Sequence, residues 1–118
     1  MKTIIAGSRS IRSRAIIWEA ISKCPHDITE IVCGEADGVD RLGKAWAFEN
    51  HVPVKLFPVL TSDWQKHGKK AGPIRNEAMA AYAQAAIIIW DGMSSGTADM
   101  IRRAKRHKLR ITLTLVEQ

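Results

Sequence analysis

Residues 85–97 read Ala-Ala-Ile-Ile-Ile-Trp-Asp-Gly-Met-Ser-Ser-Gly-Thr. The first six are apolar at odd and even positions alike, so a strand here is covered on both faces, as in a parallel sheet packed between helices. Asp91-Gly92 stops the strand, and the residues 96–107 place Met100, Ile101 and Ala104 on one helical face. Residues 110–115, Arg-Ile-Thr-Leu-Thr-Leu, then alternate, which predicts an edge strand with one wet face. A strand, a glycine-bearing loop, a helix and a second strand make one crossover unit.

Working back toward the N-terminus, the same unit recurs. Short apolar runs at 2–6, 29–33 and 52–57 predict strands, the first two ending at Gly7 and Gly34. Pro53 sets the third at an edge. Helical spacing covers 13–23, with Ile16, Ile17, Ala20 and Ile21 on one face, and 38–50, with Val39, Leu42, Ala45, Trp46 and Glu49. Gly72-Pro73 opens a helix that runs to Tyr82. Residues 58–70 have no clear period and are expected to be a long loop. The expected fold is α/β: a single three-layer, Rossmann-like domain over 1–118 with a mostly parallel five-stranded sheet.

The 118 residues are one domain's worth of chain, with 46% hydrophobic and 25% charged residues, which excludes disordered and fibrous classes. No apolar run reaches membrane-spanning length, and Gly7-Ser8-Arg9 interrupts any secretory h-region, so a cytoplasmic protein is expected. Eighteen Lys and Arg against twelve Asp and Glu give +6, a balance that favours anionic partners. Cys24 and Cys33 have neither CxxC nor histidine spacing, so no metal and no cofactor are expected, and Cys33 reads as a small buried hydrophobe.

Four loops carry the candidate chemistry. Gly7-Ser8-Arg9-Ser10 offers backbone approach, hydroxyl and guanidinium donors for a phosphate, or an ordinary loop in which Ser10 or Ser13 caps a helix. The stretch 34–41, with Gly34, Gly38 and the carboxylates Glu35, Asp37 and Asp40, suits a ribose hydroxyl, a general base, or simple helix capping. Arg75 and Asn76 lie in the first turn of a helix, preceded by Trp64, which either stacks on a base or anchors its loop to the core. Ser94, Ser95, Gly96 and Thr97 open another helix as a phosphate cradle, without the GK[ST] of a Walker loop. A doubly wound sheet brings such loops to one edge.

IIAGSRS at 4–10, GEADGVDRLGKAWA at 34–47, AGPIRNEAM at 71–79 and IIIWDGMSSGTADMIRRA at 87–104 together resemble the YspA/YpsA-related branch of the SLOG (SMF/DprA–LOG) superfamily, over residues 2–115. The resemblance implies a Rossmann-like fold that binds nucleotides or nucleotide-derived ligands and commonly oligomerises. It places Gly7, Ser8, Arg9, Gly34, Gly38, Asp40, Arg41, Arg75, Asn76, Gly96 and Thr97 at the family's motif positions. Two departures stand out. Glu35 and Asp37 replace a glycine and an arginine frequent in the second loop of relatives. Met100 occupies the position of the LOG glutamate, with Asp99 one residue early and about 100° around the helix.

Three functions follow. The first, and the one expected here, is binding of a nucleotide or nucleotide-derived signal, as sensor, carrier or sequestering protein, by Gly7, Ser8, Arg9, Gly34, Glu35, Gly38, Asp40, Arg75, Asn76, Ser94, Ser95, Gly96 and Thr97. The second is a LOG-like hydrolase with Glu35, Asp37 or Asp40 as acid or base; turnover is left open. The third is single-stranded nucleic-acid binding through Arg102, Arg103, Lys105, Arg106, Lys108 and Arg110, which as readily form a solvated helix face. A homo-oligomer is expected, with Trp18, Met79 and Tyr82 either at its interface or in the core.

Overall fold

The computed structural model describes residues 1–34 and 38–117. Its elements are β1 (Lys2–Gly7), α1 (Arg14–Ser22), β2 (Glu30–Cys33), α2 (Val39–Glu49), β3 (Val54–Leu56), α3 (Thr61–His67), a 3-10 turn (Gly68–Lys70), α4 (Ala71–Tyr82), β4 (Ala85–Trp90), α5 (Ser95–Arg106) and β5 (Arg110–Leu115). All strand pairs are parallel, in the order β3-β2-β1-β4-β5. Both expected edges are the observed ones.

The period of two decides the two cores. Ile4, Ala6, Val32, Ala86 and Ile88 face α4 and α5, where Met79, Ala80, Met100, Ile101 and Ala104 meet them. Ile5, Ile31, Cys33, Ile87 and Ile89 face the other way, onto Ile17, Ala20 and Ile21 of α1 and Val39 and Ala47 of α2. Every residue from Ala85 to Ile89 is fully buried, which is why the run carries no polar alternation. Met79 is therefore a core residue, while Trp18 and Tyr82 pack half-buried against the two cores.

Local signals set the helix ends. The Ser13 hydroxyl caps α1 by accepting the Ile16 N–H at 3.4 Å. On α2 the buried face is Val39, Asp40, Gly43 and Ala47 rather than the wider apolar set, because α2 lies so close to β1 that only glycine fits at 43. A Cβ there would stand 2.6 Å from Ile5 Cγ2. Of the expected loop at 58–70, residues 61–70 are instead α3 and the 3-10 turn. The helix starts where the Asp63 carboxylate accepts the Leu60 N–H at 2.9 Å. It buries none of its residues, so it has no apolar stripe to betray it in the sequence.

No described helix is long and apolar enough to cross a membrane. Among the described residues, no three His, Cys, Asp or Glu side chains are grouped to hold a metal ion.

The Gly43 contact gives a stability test. Gly43→Ala improves helix propensity but overpacks β1, and is expected to lower unfolding stability by about 1–3 kcal/mol. Gly96→Ala, where an added Cβ meets nothing within 4 Å, is expected to leave the urea midpoint unchanged or raise it. Equal midpoints for the two variants would contradict the packing argument.

Candidate nucleotide-binding cleft at the sheet's switch point

The chain runs outward from β1 to β2 and β3, then crosses back to place β4 on the other side of β1. The loops after β1 and β4 therefore part at their carboxyl ends, and a crevice opens between them. Its floor is tightly built. A Cβ on Gly7 would stand 2.1 Å from the Ile89 carbonyl oxygen, so only glycine lets β1 end this close to β4. The next residue, Ser8, is fully buried; its N–H donates to the Ile89 carbonyl at 3.1 Å and its Oγ accepts the Asp91 N–H at 3.0 Å. Ser8 braces the two loops from behind, while Arg9 is exposed in front.

Asp91 organises the β4 loop. One carboxylate oxygen accepts the N–H groups of Met93 (2.8 Å) and Ser94 (2.9 Å), and the other accepts the Ser10 hydroxyl at 3.2 Å. The Met93 and Ser94 amides hold this carboxyl below its ordinary range. Gly92 takes the positive φ of 81° that the turn needs. The chain then enters α5 with Ser94 as cap: its Oγ accepts the Thr97 N–H at 3.3 Å and lies 3.1 Å from the Thr97 hydroxyl. Ser95 and Gly96 in the first turn are exposed, and Thr97 is buried.

The α4 side is held by Arg75 and Asn76. Arg75 Nη1 donates to the Gly34 carbonyl at 2.7 Å and the Phe57 carbonyl at 3.4 Å, so one guanidinium ties down the ends of β2 and β3. Burial pushes its pKa below the usual guanidinium value, and the Asp40 carboxylate opposes that shift. A Cβ at Gly34 would stand 2.0 Å from Arg75 Nη1, so glycine here is what admits the arginine. Gly38, at φ 76°, lies against the backbone of the first loop, its missing Cβ 2.5 Å from the Arg9 carbonyl oxygen. Asn76 accepts from Arg75 Nε at 3.1 Å and donates to the Gly96 carbonyl at 3.3 Å and Asp99 Oδ2 at 2.9 Å.

Asp99 carries that network along α5. Burial opposes its ionisation, but Arg103 Nε at 2.9 Å and Asn76 win, and its pKa lies below the ordinary range. Arg103 also donates to Glu77 at 3.1 Å, whose other oxygen meets His107 Nε2 at 2.6 Å. These bonds, that to His107 first, hold the Glu77 carboxyl below its ordinary range. Arg103 is thus engaged by two carboxylates; Arg102 Nη2 also reaches Asp99 Oδ1 at 3.4 Å and Arg106 Nη1 lies 3.9 Å from Glu77 Oε1, and both are exposed, as are Lys105, Lys108 and Arg110.

The result is a cleft of about 690 Å3, a size usual for small-molecule sites. Gly7, Arg9, Asp40, Arg75, Asn76, Ser94, Ser95, Gly96 and Thr97 line it. Ser8, Gly34 and Gly38 stand behind it as supports; Glu35 and Asp37 lie outside the described residues. Asp91, Asp99 and Arg102 line it too. Asp91 was marked by its Asp-Gly turn directly after a strand. Asp99 sits on the cleft wall, whereas Met100, at the LOG glutamate position, is mostly turned into the core at 1% exposure. Arg102 belongs both to this lining and to the exposed basic face of α5.

Residues 1–67 match the model of the family described as YAcAr: YspA, cpYpsA-related SLOG family. The chain is 32% identical over 112 residues to the Gene 61 protein of Mycobacterium phage D29, covering 89% of each. Among solved structures it resembles DNA processing protein A (DprA) from Streptococcus pneumoniae, with a TM-score of 0.71 at 18% identity over 93% of this chain. The chain spans about half of that structure, 48% of its length, and the likeness is one of fold. The protein belongs to the YspA, cpYpsA-related SLOG family.

Proposed function

We propose that the cleft binds a nucleotide or nucleotide-derived ligand, with its phosphate against the start of α5. The observation that carries this is the convergence, at the switch point, of the Ser94–Thr97 helix start with Arg9, Arg75 and Arg102. First-turn amides and hydroxyls present donors to an anion, and the helix dipole adds to them. Asp91 and Asp99 also line the cleft, but each spends its charge on partners already described. Arg75 is committed to two backbone carbonyls, which makes it a support more than a phosphate clamp. Arg9, Lys69 and Arg102 are the cations at the rim. Membership of the SLOG family supports a nucleotide-related role.

The test has two parts. Native mass spectrometry of freshly purified protein, followed by denaturation, identifies any small molecule carried along; whether it emerges intact separates binding from hydrolysis. Calorimetry against mononucleotides, dinucleotides and cyclic dinucleotides then measures affinity. Binding of at least one nucleotide is expected, weakening about tenfold or more when Arg9 and Arg102 are both changed to Ala. Absence of binding across the panel at millimolar ligand would sink the proposal.

A second prediction concerns Asp91. Asp91→Ala removes the acceptor that folds the 91–94 turn, so affinity is expected to fall by about tenfold while the far-ultraviolet circular dichroism stays that of the parent. Unchanged affinity would show that the turn does not position the phosphate.

A further inference from the structure

We propose that Trp64 is a nucleobase platform at the rim of this cleft, so that the ligand is recognised by a planar aromatic ring as well as by phosphate. The inference rests on the ligand class proposed above and adds a recognition element from outside the family's loop motifs.

The chain has four tryptophans. Trp18, Trp46 and Trp90 pack against the two cores, and the Trp90 indole N–H donates to the Ser94 carbonyl at 3.1 Å. Trp64 does none of this. It stands on α3, which buries no residue, and is 45% exposed. Among the described residues, the ring–ring and cation–ring contacts belong to Phe57, Tyr82 and Trp18, not to Trp64. It lines the cleft together with Lys69, with its ring near Gly72 at the start of α4. A large apolar ring held at the mouth of a polar cleft, and not used by the core, offers a π-face to a base.

Gly72 supports this independently. Its φ is not positive, so the backbone does not require glycine. A Cβ there would sit 3.9 Å from Trp64 Cη2, an ordinary contact, so packing does not require glycine either. What glycine does is leave the space beside the indole clear; a longer side chain in the first turn of α4 would fill it. Lys69 lies next to the same opening and can meet a ring carbonyl or a phosphate oxygen of the stacked nucleotide.

The experiment is calorimetric titration of the full chain and of Trp64→Ala, Trp64→Phe and Gly72→Leu with 5′-AMP, 5′-GMP and their shared fragment ribose 5-phosphate. The parent is expected to bind at least one nucleotide about tenfold or more tighter than ribose 5-phosphate. Trp64→Ala abolishes that preference and leaves ribose 5-phosphate affinity unchanged. Trp64→Phe restores much of the preference, and Gly72→Leu behaves like Trp64→Ala. Should Trp64→Ala fail to fold by circular dichroism, the Phe and Leu variants decide. A parent that binds nucleotides and ribose 5-phosphate equally, or a Trp64→Ala variant that keeps the preference, overturns the platform while the phosphate site stands. A parent that binds none of the three probes, or any member of the wider nucleotide panel, overturns both.

Discussion

The end of β1 governs the molecule. Gly7 admits the Ile89 carbonyl to a distance that any side chain would forbid, and Ser8 then bonds once to β4 and once to the loop beyond it. Because β1 is the central strand, this join fixes the position of the crevice. The loop after β4 leaves along one side of it, and the loop after β1 along the other. Gly38 then presses the second loop's exit onto the backbone of Ser8 and Arg9. Three loops from distant parts of the sequence are thereby held in register by close backbone approaches and by the one buried hydroxyl of Ser8.

Charge in the cleft follows a similar division of labour. Its carboxylates look, in a list, like obstacles to an anionic ligand. In place, Asp91 is engaged by two amides and the Ser10 hydroxyl, and Asp99 by Asn76, Arg102 and Arg103. Both are structural acceptors whose acidity is raised by the bonds they accept. The same logic commits Arg75 and Arg103 to acceptors of their own chain, and Arg102 in part, through its 3.4 Å contact with Asp99. Net charge alone could not make these assignments.

Where the sequence was legible, one physical rule was enough. Strands buried on both faces lack alternation, as at Ala85–Trp90, and the edges β3 and β5 showed Pro53 and Thr-Leu alternation. Helix α3 was illegible because it buries nothing and so carries no period. The site residues divided along similar lines. Glycines and hydroxyls after strands were visible in the sequence, but which of them face the crevice was not. Ser8 and Ser94 are both serines in strand-end loops; one is sealed behind the floor and the other caps the helix at the mouth. Asp91, the organiser of that mouth, was signalled only by its Asp-Gly turn, which marks a bend and not a role in a site.

The glycines of the cleft are of two kinds, and the difference bears on how such a protein diversifies. Gly7 and Gly38 are hemmed in by backbone, which cannot yield, while a side chain at Gly34 would displace the Arg75 guanidinium. Gly72 and Gly96, on the opposing helix starts, have ordinary or open surroundings and no positive φ. Side chains can be written there without disturbing the sheet. One side of the crevice is thus fixed with the fold, and the other is a place where its lining can change at little cost in stability.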